Sequence, residues 1–354
     1  MPNPEVIPAL GPDALPRFDA VIDVRSPSEF AEDHAPGAIN LPVLDDEERA
    51  RVGTVYVQDS PFKARRMGAA LVARNIARHL ETALADRPGD FRPLVYCWRG
   101  GQRSNAMATV LAQVGWRTAV LAGGYRTYRR RVQQRLYEDE LGLDLVLLDG
   151  GTGSGKTELL PRLQALGVQT LDLEGMAEHR GSLLGALPGR AQPSQKLFES
   201  RLLAALEALD PARPVVVEAE SSKIGDRMVP PALWRLMVRA PRVELEVPRS
   251  ERARYLVGAY ADLTADPAAL KVLLARLPRE LGRAKVEELG RMADAGAFRD
   301  VADALIELHY DPAYARSGRK ETRQLLGRAA AASLDGPGLA AAAEAVAALV
   351  AARR

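Results

Sequence analysis

The chain has 354 residues, 47% of them hydrophobic and 27% charged, with a net charge of +2 at pH 7. That length allows two domains, the composition is ordinary for a soluble globular protein, and the balanced charge confines any nucleic-acid surface to a local patch. One cysteine and four scattered histidines exclude intrachain disulfides and cysteine-rich metal sites and disfavour zinc, while the lack of a long apolar run or a secretory start predicts a cytoplasmic protein without membrane contact.

In chain order, Ala20 to Val24 reads as a short buried strand with Asp23 and Arg25 near its end, and Ser26-Pro27-Ser28-Glu29 as a helix start. His34-Ala35-Pro36-Gly37-Ala38-Ile39-Asn40-Leu41-Pro42 gives a turn and a second strand, followed by an arginine-dotted helical region from Phe62 to Leu84. Leu94 to Tyr96 is a third strand. After Gly100-Gly101, Ser104 opens a helix with Ala106, Val110, Leu111 and Val114 at helical spacing, closed by Gly115. Thr118 to Leu121 is a further strand. Strands alternating with helices predict a parallel α/β sheet, with ligands at the carboxyl ends of its strands.

Cys97 therefore stands at the mouth of a strand-loop-helix unit, where loop amides, a helix N-terminus and the cations Arg99 and Arg103 favour the thiolate. Such a loop also holds an oxyanion against the sulfur. A buried structural cysteine is the alternative, but it would need neither the two arginines nor the Gly-Gly pair. The spacing from Cys97 to Arg103 also fits a cysteine-dependent phosphatase, with Cys97 as nucleophile and Arg103 as phosphate clamp. Asp23-Val24-Arg25, the His34–Asn40 stretch, the Cys97 loop and Gly123-Gly124-Tyr125, in that order, resemble a rhodanese domain. Rhodaneses carry sulfur or a related chalcogen on the loop cysteine. Here the loop is longer by a residue than is usual for them, and a wider cradle suits the tetrahedral phosphorus of a phosphorylated chalcogen donor.

Gly123 to Arg135 is the densest basic stretch, with Arg126, Arg129, Arg130, Arg131 and Arg135 interleaved with Tyr125 and Tyr128. On a helix these arginines could face phosphates while the tyrosines stack on bases; a solvated interdomain helix is the other reading. The strand Asp144–Asp149 then runs into Gly150-Gly151-Thr152-Gly153-Ser154-Gly155-Lys156-Thr157, a complete phosphate-binding loop pattern, with a helix from Glu158 through Leu166 behind it. Its amides curl around a diphosphate, Lys156 neutralises the charge, and the Thr157 hydroxyl is a possible Mg²⁺ ligand. Val215 to Glu220 reads as a strand with Glu218 and Glu220 on one face, either metal-side acids or solvated carboxylates. His179-Arg180-Gly181-Ser182 and Gln192 to Glu199 suit a substrate-facing loop and helix, or a plain surface connection.

From Ser250 the pattern is helical. Arg252, Arg254, Tyr255 and Tyr260 form a second basic-aromatic cluster that Arg279, Arg283, Lys285 and Arg291 continue, while Leu270, Leu273, Leu274 and Leu277 read as core. The alanine-rich stretch from Gly338 to Arg354 is a final packed helix.

Taken together, the Cys97 loop, the Gly150–Thr157 loop and His179-Arg180-Gly181-Ser182 resemble the tRNA 2-selenouridine synthase family over nearly the whole chain. The resemblance implies a rhodanese-like parallel-sheet domain at 1–128, a basic linker helix at 129–142, a P-loop NTPase-like α/β domain at 143–300 and a helical C-terminal extension at 301–354. It implies an enzyme that replaces the sulfur of wobble 2-thiouridine in tRNA with selenium from selenophosphate, after S-geranylation with geranyl diphosphate. Cys97, Arg99 and Arg103 would serve the selenium step and residues 150–157 the diphosphate. Arg126, Arg129, Arg130, Arg131, Arg135, Arg252 and Arg254 would contact the anticodon region of tRNA. No tightly bound cofactor is expected beyond possible Mg²⁺, and contact with a selenophosphate-producing enzyme is possible. An ATP-dependent rhodanese-type sulfurtransferase, a phosphatase and a regulatory binding module are the competing classes.

Overall fold

Five short runs that are apolar at their centres build the first sheet: β1 (Glu5–Ile7), β2 (Ala20–Asp23), β3 (Ile39–Asn40), β4 (Pro93–Tyr96) and β5 (Ala119–Leu121). In the computed structural model, which describes residues 3–182, 184–277, 281–318 and 323–353, they pair in parallel in the order β1-β5-β4-β2-β3. β4 lies in the middle and is buried along its whole length, which is why it reads as an unbroken apolar run. Helix Gln102–Val114 packs Met107, Ala108 and Leu111 into the core formed with Ile22, Val95 and Phe91.

This sheet belongs to a unit made of Met1–Asp139 and Pro193–Ala208. The basic stretch is helix Tyr125–Gln133, continued by a π-turn at Gln134–Glu138. Tyr125, Tyr128, Val132 and Leu136 are buried, so the tyrosines expected to stack on bases face the protein instead. The reason is periodicity: these four recur at helical spacing and form the apolar stripe of the segment. Helix Gln195–Glu207 packs beside it, held by Arg129–Glu199 and Arg131–Glu207 ion pairs and by the Tyr137 hydroxyl donating to Glu199 at 2.6 Å. The Gln192–Glu199 stretch, read above as part of a substrate-facing helix, thus contributes that helix to the first unit.

The second unit, Glu140–Gln192 with Leu209–Arg354, contains β6 (Leu145–Asp149), β7 (Gln169–Leu171), β8 (Val215–Glu218), the hairpin of β9 (Lys223–Ile224) and β10 (Arg227–Met228), β11 (Arg242–Glu246) and β12 (Leu325–Ala330). Its five-stranded parallel sheet has the order β12-β11-β6-β8-β7. The C-terminal region is helical, as expected, but it also supplies edge strand β12, whose small residues carry little strand signal. Helix Gly336–Ala351 packs on the phosphate-loop helix Lys156–Ala165. A helical lobe spans Arg249–Ala259, Ala261–Thr264, Pro267–Leu274, Arg283–Asp294 and Phe298–Leu305. Leu270, Leu274 and Leu277 are buried in its core with Leu289, Val301 and Leu305, and Leu273 is partly buried against them. Arg279 lies outside the described residues. Among the described residues, no helix is long and apolar enough to cross a membrane.

One buried ion pair ties the first sheet to its loops. Arg25 and Asp23 are 1% and 0% exposed, with Arg25 Nη2 donating to Asp23 Oδ2 at 2.6 Å and to the Asp33 carbonyl at 2.6 Å. Burial alone would lower the guanidinium's proton affinity; Asp23 more than offsets this. The Arg25 guanidinium also lies 4.0 Å from the centroid of the Tyr125 ring. Removing one partner leaves a buried charge, so Asp23→Ala is expected to destabilise the fold by about 3–5 kcal/mol, read as a lower urea midpoint; a change below about 1 kcal/mol would refute this role.

Candidate functional site

β4 delivers Cys97 to the loop Trp98–Gly101. Its Sγ accepts from the Gly101 amide at 3.4 Å and the Ser104 hydroxyl at 3.3 Å. Burial pushes the thiol up, but the Ser104 hydroxyl and the amides of Ser104, Gly101 and Arg99 outweigh it, leaving the thiol below its ordinary range. The loop is closed from below by Gly123-Gly124-Tyr125, with the Tyr125 amide donating to the Cys97 carbonyl at 2.8 Å. Gly100 has φ +62, and a Cβ there would lie 2.8 Å from the Gly123 amide nitrogen, so the cradle requires glycine. Arg103 is held by Glu29, its Nη1 donating to Oε2 at 2.9 Å, and Arg49 reaches the same carboxylate at 3.1 Å. Although burial pushes Glu29 up, Arg103 brings it below the usual carboxylate range. Arg99 is exposed.

In the second unit, β6 runs into residues 150–157 as the pattern predicts. The Lys156 ammonium donates to the Gly150 carbonyl at 2.9 Å. Burial disfavours its charge, but Tyr314, Glu220, Glu174 and Glu218 hold it well above the ordinary lysine range. The Thr157 hydroxyl lies 2.7 Å from Glu218 Oε1 and 3.1 Å from Glu174 Oε2. One hydroxyl hydrogen cannot serve both carboxylates, so one contact requires a carboxylic proton. Burial is the first reason such a proton is retained: with the neighbouring acids, it pushes Glu218 up to about 7 and Glu174 to about 9. Glu220, the other acid expected on that strand, lies past the end of β8 at Glu218 and lines the same cleft.

Sequence spacing does not disclose Glu174. It sits in the short helix Leu173–Ala177 after β7, and the only local signal is an acid following a strand. Arg252, expected on tRNA, braces the loop instead: its Nε donates to the Thr152 carbonyl at 2.9 Å and its Nη2 to Asp311 at 2.7 Å. Arg129 and Arg131 are likewise engaged with Glu199 and Glu207, and Arg135 with Asp139 at 3.0 Å. Arg126 and Arg130 are exposed, as is Arg254, which pairs with Glu251 at 2.6 Å. Arg180, Gly181 and Ser182 do line the cleft, which has a volume of about 1550 Å³. Arg180 is fixed by Asp262 at 2.8 Å, and Ser182 Oγ lies 2.7 Å from the Tyr260 hydroxyl.

A loop cysteine in an amide cradle and a glycine-lysine phosphate loop, each after a central parallel strand, define a two-domain protein of rhodanese and P-loop type. Family models agree: one described as "Rhodanese-like domain" matches residues 12–131 and one described as "tRNA 2-selenouridine synthase AAA domain" matches residues 143–335. Proteins named tRNA 2-selenouridine synthase from Aeromonas salmonicida and Verminephrobacter eiseniae are 35% and 36% identical to it, each over 83% of this chain and over 86% and 88% of their own lengths. One from Salmonella schwarzengrund is 34% identical over 87% of this chain and 92% of its own. The chain belongs to the tRNA 2-selenouridine synthase family.

Two expectations follow from the electrostatics. Ser104→Ala removes the strongest stabiliser of the Cys97 thiolate, so alkylation by iodoacetamide at pH 7 should slow and its pH midpoint rise; an unchanged midpoint would refute the role given to Ser104. Glu174 and Glu218 have folded values above their ordinary 4.5. Between pH 4.5 and about 9 the folded state therefore binds more protons than the unfolded one, and these groups make stability fall as pH rises through that window. Glu174→Gln should flatten the fall in Tm between pH 5.5 and 8.5; equal slopes in the two proteins would count against the raised proton affinity of Glu174.

Proposed function

We propose that this protein converts wobble 2-thiouridine in tRNA to 2-selenouridine, taking selenium from selenophosphate and passing through an S-geranyl nucleoside made from geranyl diphosphate. The observation that carries this reading is the presence, in one chain of this family, of two anion cradles of different chemistry. One is a glycine-rich loop closed by Lys156, the pattern that takes a diphosphate. The other sets amides and the Ser104 hydroxyl on the Cys97 sulfur, with Arg99 in the same loop and Arg103 in the helix that follows it.

In the first step the nucleoside sulfur bonds to C1 of the geranyl group as the carbon–oxygen bond breaks, and the electron pair leaves with diphosphate. Lys156 and the amides of the Gly150–Thr157 loop stabilise the charge that grows there. Thr157 with Glu218, an oxygen-only donor set, would hold Mg²⁺, which binds through one or two carboxylates and substrate phosphates; bound, it would neutralise part of the diphosphate charge. In the second step selenium replaces the geranylthio group at C2 of the base. Cys97 would act as nucleophile toward the phosphorus of selenophosphate, with Arg99 and Arg103 on its oxyanions and Glu29 orienting Arg103. The P–Se bond breaks with its electron pair on selenium, the selenide bonds to C2 and expels geranylthiolate, and water frees phosphate from the Cys97 sulfur. Exposed Arg126, Arg130 and Arg254 are the members of the basic set best suited to tRNA phosphates, while Arg129, Arg131 and Arg252 act on the protein itself.

The test is mass spectrometry of nucleosides from 2-thiouridine tRNA incubated with the protein, geranyl diphosphate and selenophosphate. Wild type should yield 2-selenouridine. Lys156→Ala should slow geranylation by at least about a hundredfold, and Cys97→Ala should accumulate the S-geranyl nucleoside. Hydrolysis of ATP with no nucleoside change would overturn the proposal in favour of an ATP-driven sulfurtransferase.

A further inference from the structure

The phosphate cleft has an apolar annex. A recess of about 60 Å³ is walled by the helical lobe, with Leu256 and Val257 from one helix, Leu263 and Leu270 from the next two, and Phe298 and Leu305 from another. Thr152, Leu256, Tyr260 and Tyr310 line both this recess and the large cleft, so the recess adjoins the cleft beside the phosphate loop. Its lining offers few hydrogen-bonding groups, and the Tyr260 hydroxyl is already engaged with Ser182. A nucleobase placed there would leave its polar edge unpaired, at a cost in affinity, whereas a hydrocarbon would gain by leaving water.

We infer that this recess takes the hydrocarbon tail of a diphosphate ester held by residues 150–157, and that its walls set the length of tail accepted. The inference rests on the geranyl diphosphate reading above and deepens it. At about 10–15 Å³ per water-sized group, the recess has room for roughly four to six such groups, near one five-carbon isoprene unit. A ten-carbon tail therefore runs its first unit past Leu256 and Tyr310 in the cleft and seats its second in the recess. A fifteen-carbon tail meets Leu270, Val301 and Leu305, which are buried in the lobe's core and do not yield without a vacancy.

Calorimetric titration of the full chain with inorganic diphosphate, geranyl diphosphate and farnesyl diphosphate tests this, with geranyl transfer to 2-thiouridine tRNA measured alongside. Wild type should bind geranyl diphosphate at least about tenfold more tightly than inorganic diphosphate, the increment expected for two or more buried methylenes. Ala302→Phe, which fills the recess, should remove that increment while inorganic diphosphate, the control for an intact loop, still binds. Phe298→Ala, at a half-buried wall position, should bring farnesyl diphosphate to the level of geranyl diphosphate. If wild type transfers geranyl and both variants keep the wild-type tail preference, the recess assignment is wrong and the function stands. If wild type neither transfers geranyl nor prefers its diphosphate ester, function and recess fall together. Should Ala302→Phe lose inorganic diphosphate as well, Phe298→Ala decides alone.

Discussion

A glycine-bearing loop folded back on itself at the carboxyl end of a central parallel strand is the constraint on which both sites depend. In the first unit β4 ends and the amides of Gly101 and Ser104 converge on the Cys97 sulfur; in the second β6 ends and the loop after Asp149 turns back so that the Gly150 carbonyl accepts from the Lys156 ammonium. Neither curl is open to an ordinary residue. Gly100 has φ +62 and Gly153 has φ +81, and a Cβ on the latter would lie 2.8 Å from Leu256. The rest of each unit fixes that geometry from outside: the Gly123–Tyr125 turn under the cysteine loop, and Arg252 bonded to the Thr152 carbonyl over the phosphate loop.

The two cradles differ in what surrounds them, and that separates their chemistry. Around Cys97 a hydroxyl and backbone amides hold the sulfur, while Arg103 and Arg49 share the carboxylate of Glu29. Around Lys156 three glutamates crowd one ammonium and one hydroxyl. An acidic surround repels an anion unless it takes up a proton, which ties the charge of the second cradle to pH.

What the sequence disclosed was what is contiguous in it. The phosphate loop, the cysteine loop and the parallel alternation each occupy one run of residues, and local rules read them. The meeting of Glu174 and Glu218 at Thr157 is invisible in that way, because β7 and β8 bring together carboxylates from distant parts of the chain. The arginine stretch was legible only in part, for a related reason. Counting charges from Arg126 to Arg135 suggested a surface, whereas the burial of Tyr125, Tyr128, Val132 and Leu136 decides which way the helix faces, and the acids that take up Arg129 and Arg131 lie in Gln195–Glu207. Strand β12 was missed because glycine and alanine carry almost no strand preference, and its place beside β11 settles its conformation.

Helix Gln195–Glu207 has a consequence for how the protein is made. It completes the first unit, yet it is encoded between β7 and β8 of the second. On a ribosome the first sheet emerges early but lacks this helix until β6, the phosphate loop and β7 have been synthesised, while the second sheet still lacks β8, β11 and β12. Neither unit is whole before the other has begun. A gene cut at the apparent boundary after Asp139 would leave Arg129 and Arg131 without Glu199 and Glu207, so the two sequence domains are not two independent units of inheritance.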